Sequence, residues 1–539
     1  WLLADGLIGA SAALIGGTMV FSLPWALSAF GGDWTHESRG FFALLGAMGL
    51  CFLISGVLSY AGRGARRHLF RKEAMAVVGL SWILATVLGA MPYLFSGTRC
   101  VSDRAMSPVD AMFESQSGFS TTGATVLTNL EDPLLVPRCI LFWRSSTHFL
   151  GGLGIIVLFV AILGQGSAGK ALMQAEMPGP SHSSQQARMQ HTAWVLFFIY
   201  AALNAILTLL LVLQGLSVFD ALCHAFSTMA TGGFSTYNAS VGHFRNVEGL
   251  NAPLIEMTIA LFMVLGGMNF MLLYFAALGK FRRLWSDVEC RTYVMILLVA
   301  SLLITGVGLY SGDFAGPTGM NRAAAEQKGE EPPAPHGQQI ADAACYSVFQ
   351  VVSIMTTTGF CTDDFDRWNS LARGLLLLLM FVGASAGSTG GGVKVIRVIL
   401  FTKILHLEVE QVFHPSVVRP LRLGGEPVAE QDLRRQILVY FGLILAICVV
   451  GWLFTVAFEP DDTWTAGGGR PENKLIDAAS CVTATLNNIG PGIGVIGATR
   501  NYSSFHWYTK LLFIWLMMLG RLELYVILVL FIPQFWRSQ

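Results

Sequence analysis

Charge is what this 539-residue chain has least of: Asp, Glu, Lys and Arg together make up only 13% of it. Soluble domains carry about 25%, and half that density cannot cover a water-facing surface of this size. A soluble enzyme and a disordered chain are excluded. Neither sign of charge dominates, with 34 Lys and Arg against 34 Asp and Glu, so the basic excess of a nucleic-acid binder is missing too. Cysteine is sparse, nine scattered residues without a CxxC pair, which argues against a disulfide scaffold or a zinc module. No HExxH, GxSxG or paired His/Asp cluster marks a membrane enzyme, and no Rossmann fingerprint marks a nucleotide site. The chain begins at Trp1 rather than Met, so no signal peptide is read from it.

What the chain has instead is apolar length. Hydrophobic residues account for 53% and mean hydropathy is +0.58. The 58 Gly fit packed membrane helices. Ten stretches reach the roughly 20 apolar residues that cross a bilayer: 1–30, 40–61, 73–96, 138–165, 192–216, 251–279, 291–312, 371–402, 435–458 and 506–533. The expected fold is an all-α polytopic membrane protein, with 371–402 alone interrupted, by a Gly/Ser run. Basic residues crowd three short connections: Arg63, Arg66, Arg67, Arg71 and Lys72; Lys280, Arg282, Arg283 and Arg291; Lys403, Arg419, Arg422, Arg434 and Arg435. With ten spans these fall on one side, which the positive-inside rule makes cytoplasmic.

The longer outer loops share an unusual feature. Each holds a short semi-apolar stretch ending in small polar residues and Gly: STTGAT (120–125), TGGFST (231–236), TTGFCT (357–362) and NNIGPG (487–492). Asp110-Ala111, Asp220-Ala221 and Asp477-Ala478 each stand 13 residues before a Gly, and Asp342-Ala343 stands 17 before its own. The glycines Gly123, Gly233, Gly359 and Gly490 are spaced by 110, 126 and 131 residues, which defines an internal repeat. The expected division is a two-helix extension over 1–72, then repeats over 73–165, 191–280, 291–403 and 432–535. Each short stretch reads as an Asp-capped helix that dips into the membrane and returns. Irregular backbone at that depth must be buried in protein or line water. Four such re-entrant loops predict a pseudo-fourfold ring of carbonyls suited to a monovalent cation, with hydroxyls of Thr121, Thr122, Thr231, Thr357 and Thr358 added. The short helices point their partially negative C-terminal ends at the same centre.

Six motifs in order, ESQSGFSTTGAT, HAFSTMATGGFST, FQVVSIMTTTGF, GASAGSTGGGVKVIR, ATLNNIGPG and GRLELYVILVLF, resemble the Trk/Ktr/HKT superfamily of potassium translocators, most closely its bacterial TrkH/TrkG branch. The likeness runs over nearly the whole chain. It implies a K⁺-carrying pore in the bacterial inner membrane, a homodimer, and control by a cytoplasmic nucleotide-binding subunit of the TrkA type. It also implies ion-lining positions at Thr121-Thr122, Thr231-Gly232, Thr357-Thr358 and Asn488-Ile489, each pair followed by a filter glycine. In the plant branch Ser at the first such glycine accompanies Na⁺ transport, so Gly123 implies K⁺ preference, with Rb⁺ also passing. The polar insert 313–340 departs from the pattern and reads as a solvated outer loop.

Other polar residues carry weaker signals. Arg144 and Arg521 fall within spans, where a charge is costly; Arg144 reads as snorkelling or as half of a buried pair. Glu523 lies two positions from Arg521, on a different helix face. Glu114 and Gln116 read as structural anchors, and His148 and His224 as satisfied structural residues rather than proton relays. Five glycines among ten residues, Gly383, Gly387, Gly390, Gly391 and Gly392, make helix there poor at about 1 kcal/mol each against Ala. This run lacks a phosphate-loop pattern and is expected to plug the path beneath the ring. Arg521, about 16 residues or roughly 24 Å into its span, is expected to face it, and Lys394 and Arg397 to link it to a partner. The competing function is an alternating-access K⁺ or Na⁺ symporter, whose broken helices usually come in inverted pairs.

Overall fold

Long apolar helices form the frame. The computed structural model describes residues 2–63, 71–101, 104–152, 154, 187–315, 318–319, 336–414, 422–423, 426–427, 431–522 and 524–537. Among these, six helices are long and apolar enough to cross a bilayer: Gly6–Ala26, Trp34–Ala61, Met75–Phe95, Ala193–Leu213, Val288–Ser311 and Leu433–Phe458. The first tightens into a 3₁₀ segment, Val20–Ala26, that contains Pro24. Two small two-stranded ribbons, Arg99–Val101 with Arg104–Ala105 and Arg422–Leu423 with Glu426–Pro427, complete the regular structure. The protein is a polytopic helical membrane protein.

Of the other four expected spans, three are broken helices, which corrects the reading that only 371–402 is interrupted. The stretch 251–279 forms Ala252–Gly266 and Phe270–Ala277, bent by 107°. Two successive glycines end the first half, and the Asn269 side chain accepts from Met271 N at 2.8 Å to cap the second. The stretch 371–402 forms Ser370–Leu379 and Val395–Phe413. In 506–533, helix Trp507–Arg521 gives way to Leu524–Leu530. In 138–165, helix Arg138–Gly152 is seen, and 155–165 lie outside the described residues. Also outside them are Arg66 and Arg67, Arg419, Glu523 and most of the insert 313–340.

Four shorter helices precede the four filter sequences: Pro108–Phe119, Val218–Met229, His336–Met355 and Lys474–Leu486. Their starts differ from the expected Asp caps. Ser107 and Ser217 are the caps, each accepting from the N–H of Asp110 or Asp220 three positions on. At the first, Ser107 N also donates back to Asp110 Oδ2 at 3.3 Å, the reciprocal arrangement that satisfies a helix start; at the second, the return bond to Asp220 comes from the Ser217 hydroxyl. Asp477 is the fourth residue of its helix, and Asp342 lies deeper in a longer one.

Freed from capping alone, these aspartates tie the outer ends together. Lys510 Nζ donates to Asp110 Oδ1 at 2.6 Å. Asp477 accepts from Trp464 Nε1 and Val495 N, both at 3.1 Å. Asp342 joins Arg245, which also holds Glu256 at 2.6 Å. On the loop after the third filter sequence, Asp366 reaches across to accept from Gly494 N at 3.0 Å. Burial beside Asp364 pushes the Asp366 carboxyl up to about 6, against the opposing pull of that N–H and of Arg500 and Arg373. Its folded value exceeds the unfolded one, near 3.8. The native state therefore holds the proton longer, and stability falls as pH rises between those values. Asp366→Asn is expected to raise the thermal midpoint in detergent at pH 7.5, by the equivalent of at most about 3 kcal/mol, and to leave it near wild type at about pH 4. An equal or lower midpoint at pH 7.5 would contradict this.

Candidate functional site

Each short helix ends in the same way. The residue after the cap takes a left-handed conformation although it carries a side chain: Thr121 (φ 52°), Thr231 (52°), Thr357 (59°) and Asn488 (56°). Each stands two positions before a filter glycine. Such a conformation costs an L-residue roughly 1–2 kcal/mol and is an outlier for β-branched Thr. The return from the helix is identical in all four: Thr122 N to Ser117 O (2.9 Å), Gly232 N to Ser227 O (2.8 Å), Thr358 N to Ser353 O (2.9 Å) and Ile489 N to Ala484 O (2.8 Å). This six-to-one bond with a left-handed residue inside is the Schellman ending, usually made with glycine.

The glycines that follow close a ring. A Cβ on Gly123 would overlap the Gly232 carbonyl oxygen, and one on Gly233 would overlap that of Thr358. On Gly359 it would meet Pro491 Cδ at 2.8 Å and Gly490 N at 3.0 Å. On Gly490 it would meet the Gly123 oxygen at 2.7 Å and the Thr122 oxygen at 3.0 Å. Contacts run from the first loop to the second, third and fourth and back to the first. Gly123, Gly233 and Gly359 have φ of 80°, 79° and 84°. Gly490 is not left-handed, and Pro491 follows it, so the fourth loop departs from the other three. Carbonyls of Thr122, Gly232 and Thr358 press on a neighbouring glycine. A ring of such oxygens can stand in for the water around a monovalent cation.

Side chains hold the ring from behind. The expected hydroxyls also join the protein's own network: Thr121 Oγ1 donates to Ser120 O (2.8 Å), Thr231 Oγ1 to Ala230 O (2.6 Å), and Thr358 Oγ1 pairs with Thr356 Oγ1 (2.7 Å). Asn488 Nδ2 donates to Thr122 Oγ1 at 3.0 Å and to Met517 O at 2.8 Å. Glu114, His224, Gln350 and Cys481 occupy one repeated position, nine residues before each filter glycine, and all are buried. Glu114 accepts from Thr125 Oγ1 at 2.9 Å and from Val126 N at 3.0 Å. His224 Nε2 meets Ser235 Oγ at 3.0 Å, the equivalent partner. Arg144 is the buried-pair alternative realised: its Nε donates to Glu114 at 2.6 Å, its Nη1 to Ser235 O at 3.0 Å, and its guanidinium lies 3.4 Å from the Phe234 ring centre. Gln116 accepts from Thr86 Oγ1, and His148 stacks on Phe234 with Nδ1 at 3.2 Å from Ser227 Oγ.

The Gly-rich segment 383–392 lies against the inner side of the ring. Gly391 N donates to Thr357 Oγ1 at 2.8 Å, and a Cβ on Gly391 would meet Asn488 Cβ at 2.7 Å. Thr389 N and Oγ1 both donate to Gly266 O, at 3.2 and 3.0 Å, and Ser385 N donates to Gly267 O at 3.0 Å. Those acceptors are the carbonyls released where 251–279 breaks. Arg521 Nη1 donates to Thr389 O at 2.6 Å, and its Nη2 donates to Gly151 O and, at 2.9 Å, to Gly152 O. Lys394 Nζ donates to Gly390 O, and Arg397 lies over Tyr440, 4.1 Å from its ring centre. One residue absent from the sequence reading belongs here: Glu289 accepts from Ala386 N and Ile396 N.

The family model described as "Cation transport protein", TrkH, matches residues 42–538. The chain is 34% identical to the Trk system potassium uptake protein TrkH of Salmonella typhimurium, over 99% of this chain and 98% of that one. It is 31% identical to the Trk system potassium uptake protein TrkG of Escherichia coli, over 93% of each. The crystal structure of the potassium transporter TrkH from Vibrio parahaemolyticus superposes with a TM-score of 0.77 at 29% identity, covering 99% of both chains. The chain belongs to the TrkH family of cation transport proteins.

Proposed function

We propose that this protein takes K⁺ into the bacterial cell across the inner membrane, through the ring of four filter loops. One observation carries the reading: four glycines, one per repeat, each pack on the backbone of the next loop and close a ring. The names of the relatives as potassium uptake proteins support it. The ion contacts backbone oxygens at Thr121-Thr122, Thr231-Gly232, Thr357-Thr358 and Asn488-Ile489, with Gly123, Gly233, Gly359 and Gly490 admitting the close approach. K⁺ is cargo here, not a resident cofactor. Because the ring has no room for a Cβ at Gly123, Gly123→Ser must displace the Gly232 carbonyl. That variant is expected to reduce K⁺ uptake and to bring K⁺/Na⁺ discrimination down about tenfold or more, one misplaced ligand being worth about 1.4 kcal/mol or more. Unchanged selectivity in flux assays would contradict it. The symporter alternative fits less well with four loops built alike than with inverted pairs. Recording from liposomes separates the two, since a pore gives unitary currents and a rocking carrier does not.

The gate is the segment 383–392 with Arg521. Its small residues fit against the ring, and the membrane potential supplies about 2.3 kcal/mol per charge per 100 mV to drive K⁺ inward once it moves. Arg521 holds the closed position by bonding Thr389 O from the opposite wall while presenting positive charge to the path. A TrkA-like nucleotide-binding subunit docks on the basic inner connections, which include Lys280, Arg282, Arg283 and Arg291, and moves the segment through Lys394, Arg397 and the helix Val395–Phe413. The transporter above it is a homodimer of four-repeat chains. Arg521→Ala, and separately a deletion within 390–392, are each expected to raise K⁺ or Rb⁺ flux without the partner. Wild-type flux in both would place the gate elsewhere.

A further inference from the structure

The intramembrane segment is a closed loop with a stem. Gly383 N donates to Val393 O at 2.8 Å and Val395 N donates to Ala384 O at 3.2 Å, joining its two limbs. Outside these bonds sits one carboxylate oxygen, Glu289 Oε1, which accepts from Ala386 N on one limb at 2.8 Å and from Ile396 N on the other at 3.0 Å. Glu289 is the second residue of helix Val288–Ser311, whose start Asp287 caps by accepting from Cys290 N at 2.7 Å. Glu289 is 8% exposed, a costly place for charge unless it does something. The helix end that carries it comes a few residues after the basic stretch Lys280, Arg282 and Arg283, and bears Arg291 itself. The tip of the loop is held by different parts of the molecule: Met229 O and Gly266 O through Thr389, and Arg521.

We propose that Glu289 is a positioning residue that clamps the stem of the loop in its closed position, and that displacement of its helix end is how a cytoplasmic partner releases it. This rests on the gating role given to 383–392 above. Hydrogen bonds to a charged group are roughly twice as strong as neutral ones, so a single oxygen shared by two limbs fixes their spacing and their distance from the helix. When the inner end of Val288–Ser311 shifts, both limbs lose their acceptor together. The loop then keeps the bonds of its tip, through Ser385, Thr389, Gly391 and Arg521, to the ring and to the break in 251–279.

The test is Rb⁺ flux into liposomes holding the purified full chain without any partner, for wild type, Glu289→Ala, Glu289→Gln, Glu289→Asp, Arg521→Ala and the deletion within 390–392. Ala removes the acceptor and Asp withdraws it by one methylene, so both are expected to raise flux about tenfold, the factor for about 1.4 kcal/mol. Gln keeps a neutral acceptor and is expected to raise flux only about threefold. That order distinguishes a clamp from general loosening, which Gln would not partly rescue. Should Ala and Asp fail to give a monodisperse protein, the Gln variant still decides: flux at the wild-type level overturns the proposal. Wild-type flux in every Glu289 variant alongside raised flux in Arg521→Ala overturns the clamp and leaves the gate standing. Wild-type flux in Arg521→Ala and in the 390–392 deletion as well overturns the gating role itself.

Discussion

Backbone that leaves the helix inside a bilayer must find partners for its N–H and C=O groups within the protein, and that requirement organises this molecule. Four filter loops and, among the described residues, three interrupted second helices are irregular within apolar stretches. They satisfy one another. The carbonyls released at Gly266 and Gly267 are taken by the Gly-rich segment, and those at Gly151 and Gly152 by Arg521. A half-buried arginine and a glycine-rich loop, each expensive alone, become each other's compensation.

The filter adds a second constraint, since its loops hold strain. Three threonines and an asparagine sit in a conformation that glycine would adopt freely. A side chain there gives the turn something to grip: Thr357 accepts from Gly391 N, and Asn488 reaches both Thr122 and Met517. The strained residues therefore fasten the ring to the loop beneath it and to the last helix. Behind the ring the support is unequal. The Glu114–Arg144 pair and the His224–Ser235 contact back the first two loops, whereas the repeated position in the fourth is Cys481, with Pro491 and a glycine outside the left-handed region. The approximate fourfold symmetry is one of backbone geometry more than of side chains.

Much of this was legible in the sequence because glycine spacing and hydropathy report backbone directly. The positions Gly123, Gly233, Gly359 and Gly490 and the interruption at 383–392 follow from them. The breaks in 251–279 and 506–533 did not, because one Gly-Gly-Met-Asn step in the first and one Gly-Arg step in the second hardly lower the mean hydropathy of a long apolar stretch. The first two helix starts lie three residues before the aspartates that stand out in the sequence, because Ser107 and Ser217 do the capping. Glu289 was invisible because a carboxylate beside a basic connection reads as part of a solvated helix end. Only the folded loop brings Ala386 and Ile396 to it. The threonine hydroxyls suit a cation by type; that Thr121 and Thr231 also donate to Ser120 O and Ala230 O is visible only in the fold.

The central claim is that an ion is held on the axis of the ring by backbone oxygens of the residues just before the filter glycines. Anomalous scattering from crystals of this protein grown in Rb⁺ tests it most directly. The account predicts peaks on the axis at the level of Thr122, Gly232, Thr358 and Ile489. Peaks only at buried carboxylates such as Glu114 or Asp366, with none on the axis, would contradict it.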